Sequence, residues 1–462
     1  MKEKFHFIIV VELTLTAMLG CSNVQEHEML YNDARLEPIA AESAAEGKYT
    51  MKEPLTLGEN PTLADYLRYA ALNNAGLQAA FEQWKVAVEQ VPQSKALPDP
   101  KFTYGYFIEE VETRVGPQRQ KFGIMQAFPW FGTIEARTDA AAARAKAARK
   151  QYEAKKLELF YEVKEVFYEY VYLASELEIA WQNLELLKHF EEVARIKYMA
   201  AAATHPDIIR AQIELAKLED VLKSVQELRE PIVARLNAVL NRQSSEMLGW
   251  PHEDEFQMIQ INHQQLIGVL RAQNPELAAL DFEVEAAKNR VELAKKKFWP
   301  DIGVGLDWID TDRAAMSGVS DSGKDPVMLM FSMNLPIWSE SYKAAERQAE
   351  SDVSRTKQQR VEAENTIKAR AVRVLYDFED SSRKIRLYRD ILVPRAEELL
   401  QASEAAYQTG TVDFLSLVDA QRMLLQFQLQ YERAVTDYQQ KVAELEKLAG
   451  MELSAAPITL TE

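Results

Sequence analysis

The sequence predicts a mainly α-helical protein with a small membrane β part, built from a duplicated helix–strand–strand–helix–helix unit. Three observations predict it. Residues 133–200 contain no proline or glycine and carry a long heptad pattern. Four short segments alternate large apolar residues with small or polar ones, the signature of strands with two unlike faces. The same junction also occurs twice. "FGIMQAFPWFGTIEAR" at 122–137 and "LMFSMNLPIWSESYKAA" at 329–345 both run from a strand through an aromatic corner into a helix.

In chain order, residues 61–97 show a helical apolar face of Leu63, Leu67, Ala70, Leu77, Phe81 and Trp84, ended by "PDP" at 98–100. Strands follow at 101–108 and 121–128, with "EEVETRVGPQRQ" at 109–120 as a polar loop between them. The segment 133–200 predicts one helix of about 68 residues, about 100 Å long. Its seam is Phe160, Val163, Phe167, Tyr170, Ala174, Leu177, Trp181 and Leu184. "ATHPD" at 203–207 is a turn, with Pro206 placed to open a helix that runs to about 241. The plan then restarts, with a helix over about 264–298, strands over about 302–309 and 327–335, and a long helix over about 340–408. The seam of that last helix is Ile367, Ala371, Val374, Phe378, Ser381, Ile385, Tyr388 and Leu392. Gly410 marks a turn and a last helix runs to about 449. Pro231 and Pro394 fall inside helices and predict kinks or missing hydrogen bonds.

Matched positions support a true duplication. "NNAGLQAA" at 73–80 aligns with "QNPELAAL" at 273–280, and in that register Pro100 falls on Pro300 and Gly105 on Gly305. Pro129 pairs with Pro336. Further on, Tyr198, Ala211, Gln212, Ala234 and Leu236 pair with Tyr407, Ala420, Gln421, Ala443 and Leu445 at one constant offset. Chance similarity between Ala-rich helices would not match prolines and glycines lying between them. The expected organisation is a first repeat at 61–245, a linker at 246–263, a second repeat at 264–450 and a tail at 451–462.

The formal charge of -17, with no basic stripe, argues against a nucleic-acid partner. Cys21 is the sole cysteine, so no internal disulfide can form. Residues 1–20 read as a signal peptide: lysines at the start, a short apolar core interrupted by Glu12, then a small residue at the cut site. Its end, Met18-Leu19-Gly20-Cys21, resembles a bacterial lipobox, in which the cysteine carries lipid such as palmitate and becomes the first residue of a 21–60 extension. An ordinary cleaved signal and a buried helix with a core cysteine are the competing readings.

The strand faces separate cleanly. Ile302, Val304, Leu306 and Trp308 oppose Asp301, Gly303, Gly305 and Asp307. Phe102, Tyr104, Tyr106 and Ile108 oppose Lys101, Thr103 and Gly105, while Phe122, Ile124 and Phe128 oppose Lys121 and Gly123. A sheet packed on a core would show the same alternation, but the rest of the chain is long helix and leaves little to cover it. Apolar-out, polar-in alternation fits a membrane β-barrel. Four strands cannot close one, and an open edge is prohibitive in lipid. Three copies would supply twelve strands, within the range of known barrels. Trp130, Phe131, Trp299 and Trp338 all sit at the helix-side strand ends, where a membrane-interface belt is expected.

The duplication, the "FPWFG" and "LPIWS" corners, and the segments "RIKYMAAAATHPDIIRAQIEL" and "ASEAAYQTGTVDFLSLVDAQRMLL" together resemble the TolC-like outer-membrane efflux protein family over residues 60–450. The resemblance implies a homotrimer whose twelve-stranded barrel continues into a long periplasmic α-helical barrel. It implies a periplasmic adaptor and an inner-membrane RND-type pump as partners, outer-membrane lipid around the barrel, and no cofactor. It places a periplasmic entrance at the helix tips, with Asp207 and Tyr407 matching a tyrosine–aspartate link and Asp207 and Asp419 matching entrance acids. Two positions depart from the family pattern. Ser416 stands where a further aspartate is expected, and Val412 stands where the link has a basic residue.

"QAFPWFG" most resembles the outer-membrane lipoprotein components of heavy-metal exporters, so heavy-metal cations are the expected substrate. Drug efflux and type I protein secretion share every other feature. Met199, His205 and Met423 near a tip, and Met328 and Met330 on the polar strand face, have no metal-ligand spacing, so no metal site is expected. A periplasmic coiled-coil adaptor would carry one hairpin, whereas two are read here. No nucleophile motif, phosphate loop or carboxylate constellation suggests an enzyme.

Overall fold

The computed structural model describes residues 57–58, 61–251 and 256–453. The signal segment and Cys21 lie outside them. The elements are α1 (Leu63–Asn73), α2 (Ala75–Lys95), β1 (Lys101–Thr113), β2 (Gly116–Phe128), α3 (Thr133–Met199) and α4 (His205–Val239), then α5 (His263–Gln273), α6 (Pro275–Lys296), β3 (Ile302–Thr311), β4 (Val327–Met333), α7 (Ser339–Leu387), α8 (Val393–Thr409) and α9 (Phe414–Ala449). The duplicated unit is therefore present. No described helix is long and apolar enough to cross a membrane.

The chain forms two compact units that cut across the repeats. Of the described residues, one takes Glu82–Arg149 and Ala279–Arg360; the other takes those up to Phe81, Lys150–Ala278 and those from Val361. The first holds the sheet, of order β1-β2-β3-β4 and antiparallel throughout, which leaves one side of β1 and one of β4 unpaired. The helix segments of this unit pack closely through small residues, among them the buried Ala140, Ala143, Ala145 and Ala147 of α3. Arg137 donates to the carbonyls of Ser94 and Ala96 at 2.6 and 2.7 Å, satisfying groups that the end of α2 leaves open.

In the second unit, one apolar cluster joins Leu184, Leu187 and Phe190 of α3 to Leu222 of α4, Leu400 and Tyr407 of α8, and Leu417 and Leu424 of α9. Another joins Leu266, Leu270 and Leu277 to Ile367, Val374 and Phe378 of α7 and Tyr438 and Leu448 of α9.

Four differences from the sequence reading have physical causes. Residues 61–97 and 264–298 are not single helices. Asn74 and Asn274 interrupt them in extended conformation, and each side-chain oxygen accepts from an amide of the next helix, Leu77 at 2.9 Å and Leu277 at 3.0 Å. The seam of α3 departs from the expected one at a single late position: Trp181 is 45 % exposed and Ala180 is buried instead, as a helix drifts from a heptad register, while Leu184 is buried as expected. A π-helical turn, Tyr388–Leu392, interrupts the long helix before Pro394; proline has no N–H for the carbonyl four residues back, and the wider turn absorbs the gap. Finally, 109–120 is mostly strand. Arg119 reaches Glu110 and Asp312, and the hairpin turns at 114–115 beside Gly116, whose φ of 134° and closeness to the Asp312 carbonyl exclude any side chain.

Candidate functional site

The sheet has one large apolar face. Phe102, Tyr106, Ile108, Leu329 and Phe331 are exposed, Ile108 by 92 % and Phe331 by 73 %. Cross-strand rings ladder along it, Tyr104 on Phe122 at 5.2 Å and Phe122 on Trp308 at 5.4 Å. The other face is small and polar. There Lys121 of β2 pairs with Asp307 of β3 at 2.5 Å, with the Asp307 side chain only 4 % exposed. Gly123 makes room for it, since a Cβ there would lie 2.3 Å from the Asp307 carboxylate. The pair was not apparent in the sequence, although both residues fall on the polar face.

At the strand ends, three of the four expected belt residues meet. Trp130 stacks on Trp299 at 5.0 Å and 8°, and Phe131 packs edge-on against Trp130 at 5.6 Å. The Trp130 amide donates to Asp301 at 3.1 Å. Gly132, at φ 77°, turns the chain into α3 beneath the Lys296 side chain. Trp338, on the β4–α7 corner, is exposed and makes no ring contact among the described residues.

The helix tips repeat one design. Each first helix closes with a left-handed residue, Ala201 (φ 57°) after α3 and Gly410 (φ 80°) after α8. The amide just after each left-handed residue reaches back five residues, Ala202 to Lys197 at 2.8 Å and Thr411 to Ala406 at 2.9 Å. Each second helix then starts with a hydroxyl–carboxylate pair. Thr204 gives its amide and hydroxyl to Asp207 at 3.0 and 2.8 Å. In the second hairpin the two chemistries change places: Asp413 caps α9 and accepts from the amide and hydroxyl of Ser416 at 2.9 and 2.7 Å. The hydroxyl of Ser416 therefore stands beside a carboxylate displaced by three residues. Sequence reasoning missed Asp413, although a D-x-x-S run at a helix start was there to be read.

Hydrogen bonding to Ser416 holds the Asp413 carboxyl below its ordinary range, with Arg210 adding to the effect. Asp207 has Arg210 at 3.9 Å, and Asp419 is exposed and paired with Arg422 at 3.2 Å. Arg422 also grips Glu214 of the first hairpin through its Nε, at 3.1 Å. Tyr407 is 4 % exposed, and its hydroxyl has no hydrogen-bond partner among the described residues. Burial, with the nearby Asp207 charge second, raises its pKa. The Asp207 charge thus acts on Tyr407, while one carboxylate oxygen, Oδ2, accepts both Thr204 bonds and Oδ1 faces Arg210. Val412 packs against the apolar cluster. Gln212 and Gln421, paired by the duplication, both reach back to α3, to Glu191 at 3.4 Å and Asn183 at 3.0 Å. Among the described residues, no cluster of His, Cys, Asp and Glu could hold a metal ion.

The sequence matches the outer membrane efflux protein family over residues 67–242 and 266–451, one stretch for each repeat. The chain belongs to that family. No curated protein matches it by sequence. Among solved structures, the outer-membrane channel OprN is similar with a TM-score of 0.70 and 16% identity, covering 88% of this chain and 99% of that one. VceC from Vibrio cholerae is similar with a TM-score of 0.69 and 17% identity, over 84% and 96%. The open state of the MtrE channel from Neisseria gonorrhoeae gives 0.69 and 17%, over 90% and 95%. At these identities the likeness establishes the shared fold, and family membership supplies the coarse role, outer-membrane efflux. As an outer membrane efflux protein the chain is a transport protein.

Proposed function

We propose that three copies of this chain pool their sheets into a twelve-stranded barrel and form the exit duct of a tripartite efflux system, fed by an RND-type inner-membrane pump through a periplasmic adaptor. One observation carries the reading: a four-stranded sheet with an exposed apolar face and an unpaired edge at each side. In water that face would be a large aggregation-prone patch. In lipid, joined edge to edge, it is the expected outer wall. Trp130, Phe131, Trp299 and Trp338 then mark the boundary where the wall leaves the membrane. Residues 61–245 and 264–450 supply one stave each of wall and tunnel, joined by 246–263 and followed by a tail at 451–462.

In this reading the tips of the two hairpins form the periplasmic entrance. Asp207, Asp413 and Asp419 give it negative charge, and Tyr407 and Ser416 order the turns. Repeated three-fold in a narrow pore, such charges favour cations. Heavy-metal cations are the proposed substrate, supported by the "QAFPWFG" corner. Cys21, after a signal at 1–20, is the proposed lipid anchor, with 21–60 as its extension. The membrane-patterned sheet and the second hairpin favour this reading over an adaptor.

Fractionation of the mature protein tests the assembly. It is expected in the outer membrane as a cross-linkable trimer, and a soluble monomer refutes the reading. Cys21→Ala is expected to abolish palmitate labelling. Deletion of the gene followed by a sensitivity panel decides the cargo: sensitivity to metals supports the proposal, and sensitivity confined to drugs replaces it with drug efflux.

A further inference from the structure

The two repeats keep one spacing before the π-helical turn Tyr388–Leu392 and another after it. Before it, Val163, Val166, Phe167 and Tyr170 of α3 are buried, and so are Ala371, Val374, Leu375 and Phe378 of α7, each 208 positions further on. Leu173 and Ser381 extend the match. A spacing of 209 fails there. It would set Val163 on Val372 and Phe167 on Tyr376, which are 60 % and 61 % exposed. After the turn the spacing is 209. Leu187 and Ala396 are both buried, as are Glu191 and Leu400, and the same spacing carries Tyr198 to Tyr407 and Ala211 to Ala420. A spacing of 208 would set Leu187 on Arg395 and Glu191 on Leu399, both exposed. Between Ser381 and Ala396 the second repeat therefore holds one residue more than the first holds between Leu173 and Leu187. The π turn lies in that interval, while α3 is α-helical throughout.

A surplus residue left in α geometry would rotate everything after it by about 100°. Ala396, Leu400 and Tyr407 would then turn off the apolar cluster they share with α3. A π turn takes up one extra residue and leaves the helix on both sides in phase. The gap at Pro394 does not by itself call for such a turn. Pro92 and Pro231 also sit inside helices, α2 and α4, and both of those stay α-helical. No residue of the turn is buried, so the surplus is carried on the outside of the helix. Pro394 follows directly, where the first repeat has Glu185.

We infer that the turn Tyr388–Leu392 is a one-residue insertion in the second repeat and acts as a phase corrector, confining the extra residue so that α7 and α8 present one continuous buried face. The inserted residue is therefore dispensable, and a residue at the same level of α3 is not. Deletions in the full-length protein test this, read by amide hydrogen exchange. Removing Ile391 together with Pro394→Glu gives the second repeat the spacing of the first and its residue at that position. Protection at Leu400 and Tyr407 is expected to stay within about three-fold of wild type. Removing Arg389 instead of Ile391, again with Pro394→Glu, is expected to do the same, because the surplus belongs to the turn and not to one position. Gln182 is exposed on α3 and corresponds to Ile391 at the spacing of 209. Its removal has no π turn to draw on, so protection at Leu187 and Phe190 is expected to fall about a hundred-fold or more. Tolerance of either deletion in the turn, with loss of protection in the α3 deletion, supports the inference. Loss of protection in both deletions in the turn overturns it, and so does an α3 deletion that is tolerated as well.

Discussion

Replacing Asn274 by Ala isolates the device that docks the second repeat's helix break. The Asn274 amide nitrogen donates to the Leu448 carbonyl at the end of α9, at 2.9 Å, and its oxygen accepts from the Leu277 amide at 3.0 Å. Both bonds are buried, and the residue is 5 % exposed. Alanine leaves one buried donor and one buried acceptor unsatisfied, at about 1–2 kcal/mol each, so about 2–4 kcal/mol of local stability is lost. The first repeat supplies an internal control. Asn74 makes the same two bonds, to Val239 at 2.8 Å and from Leu77 at 2.9 Å, in a part-buried setting where water can substitute. Asn74→Ala is therefore expected to cost about 1 kcal/mol. Amide hydrogen exchange reads such local openings directly. Leu277 should lose about 30- to 1,000-fold of its protection in Asn274→Ala, and Leu77 about ten-fold or less in Asn74→Ala. Asn274→Asp should keep Leu277 protected while freeing the end of α9. Unchanged protection at Leu277, or equal losses in the two repeats, refutes the reasoning.

Ala201→Gly should stabilise the first hairpin turn by about 1 kcal/mol, seen as slower exchange over 199–205, because φ 57° strains alanine and not glycine. Gly123→Ala should sharply reduce trimer yield by displacing Asp307, and adding Asp307→Gly in the same chain should restore it. The Arg422–Glu214 bridge should weaken in acid. The Arg422 hydrogen bond, outweighing partial burial, lowers the Glu214 pKa below its ordinary value of 4.5. Its contribution is therefore complete above that value and lost as pH falls through the lowered one. Spin labels at the exposed Ile213 and Met423 should report a wider distance distribution in that acid range, and Glu214→Gln should show the wide distribution at every pH.

The features legible in the sequence were those written in periodicity or punctuation. Heptads fixed the long helices, alternation fixed the strand faces, and matched prolines and glycines exposed the duplication. Trp130, Phe131 and Trp299 were found because aromatic residues cluster visibly at the corner. What escaped depended on partners distant in the chain. Asn74 and Asn274 do carry local signals, an Asn cap followed at 275 by proline, but the apolar periodicity runs through them, and the bonds to Val239 and Leu448 that dock the breaks need distant partners. The Lys121–Asp307 pair needs the register of two strands, and Lys197 needs the meeting of two hairpins. At Tyr407 the hydroxyl has no hydrogen-bond partner among the described residues, and its ring and carbonyl are the groups that Lys197 engages.

The duplication also shows which parts of each hairpin are held by geometry and which by chemistry. The left-handed position after the first helix is kept in both copies, as Ala201 and Gly410, and so is the one after the second helix, as Asn241 and Gly450. Residue identity drifts there while φ does not, so the backbone turn is what the fold requires. At the following helix start, the pair Thr204–Asp207 became Asp413–Ser416 with the hydroxyl and the carboxylate exchanged. A helix N-terminus accepts either order, because a side-chain oxygen at the cap and a negative charge in the first turn both satisfy it. The exchange moves the charge by three residues along the tip at no cost to the cap. Each hairpin can thus place its carboxylate differently along its tip on a turn that is otherwise the same. That freedom is enough to let two copies of one hairpin carry different charge at their tips.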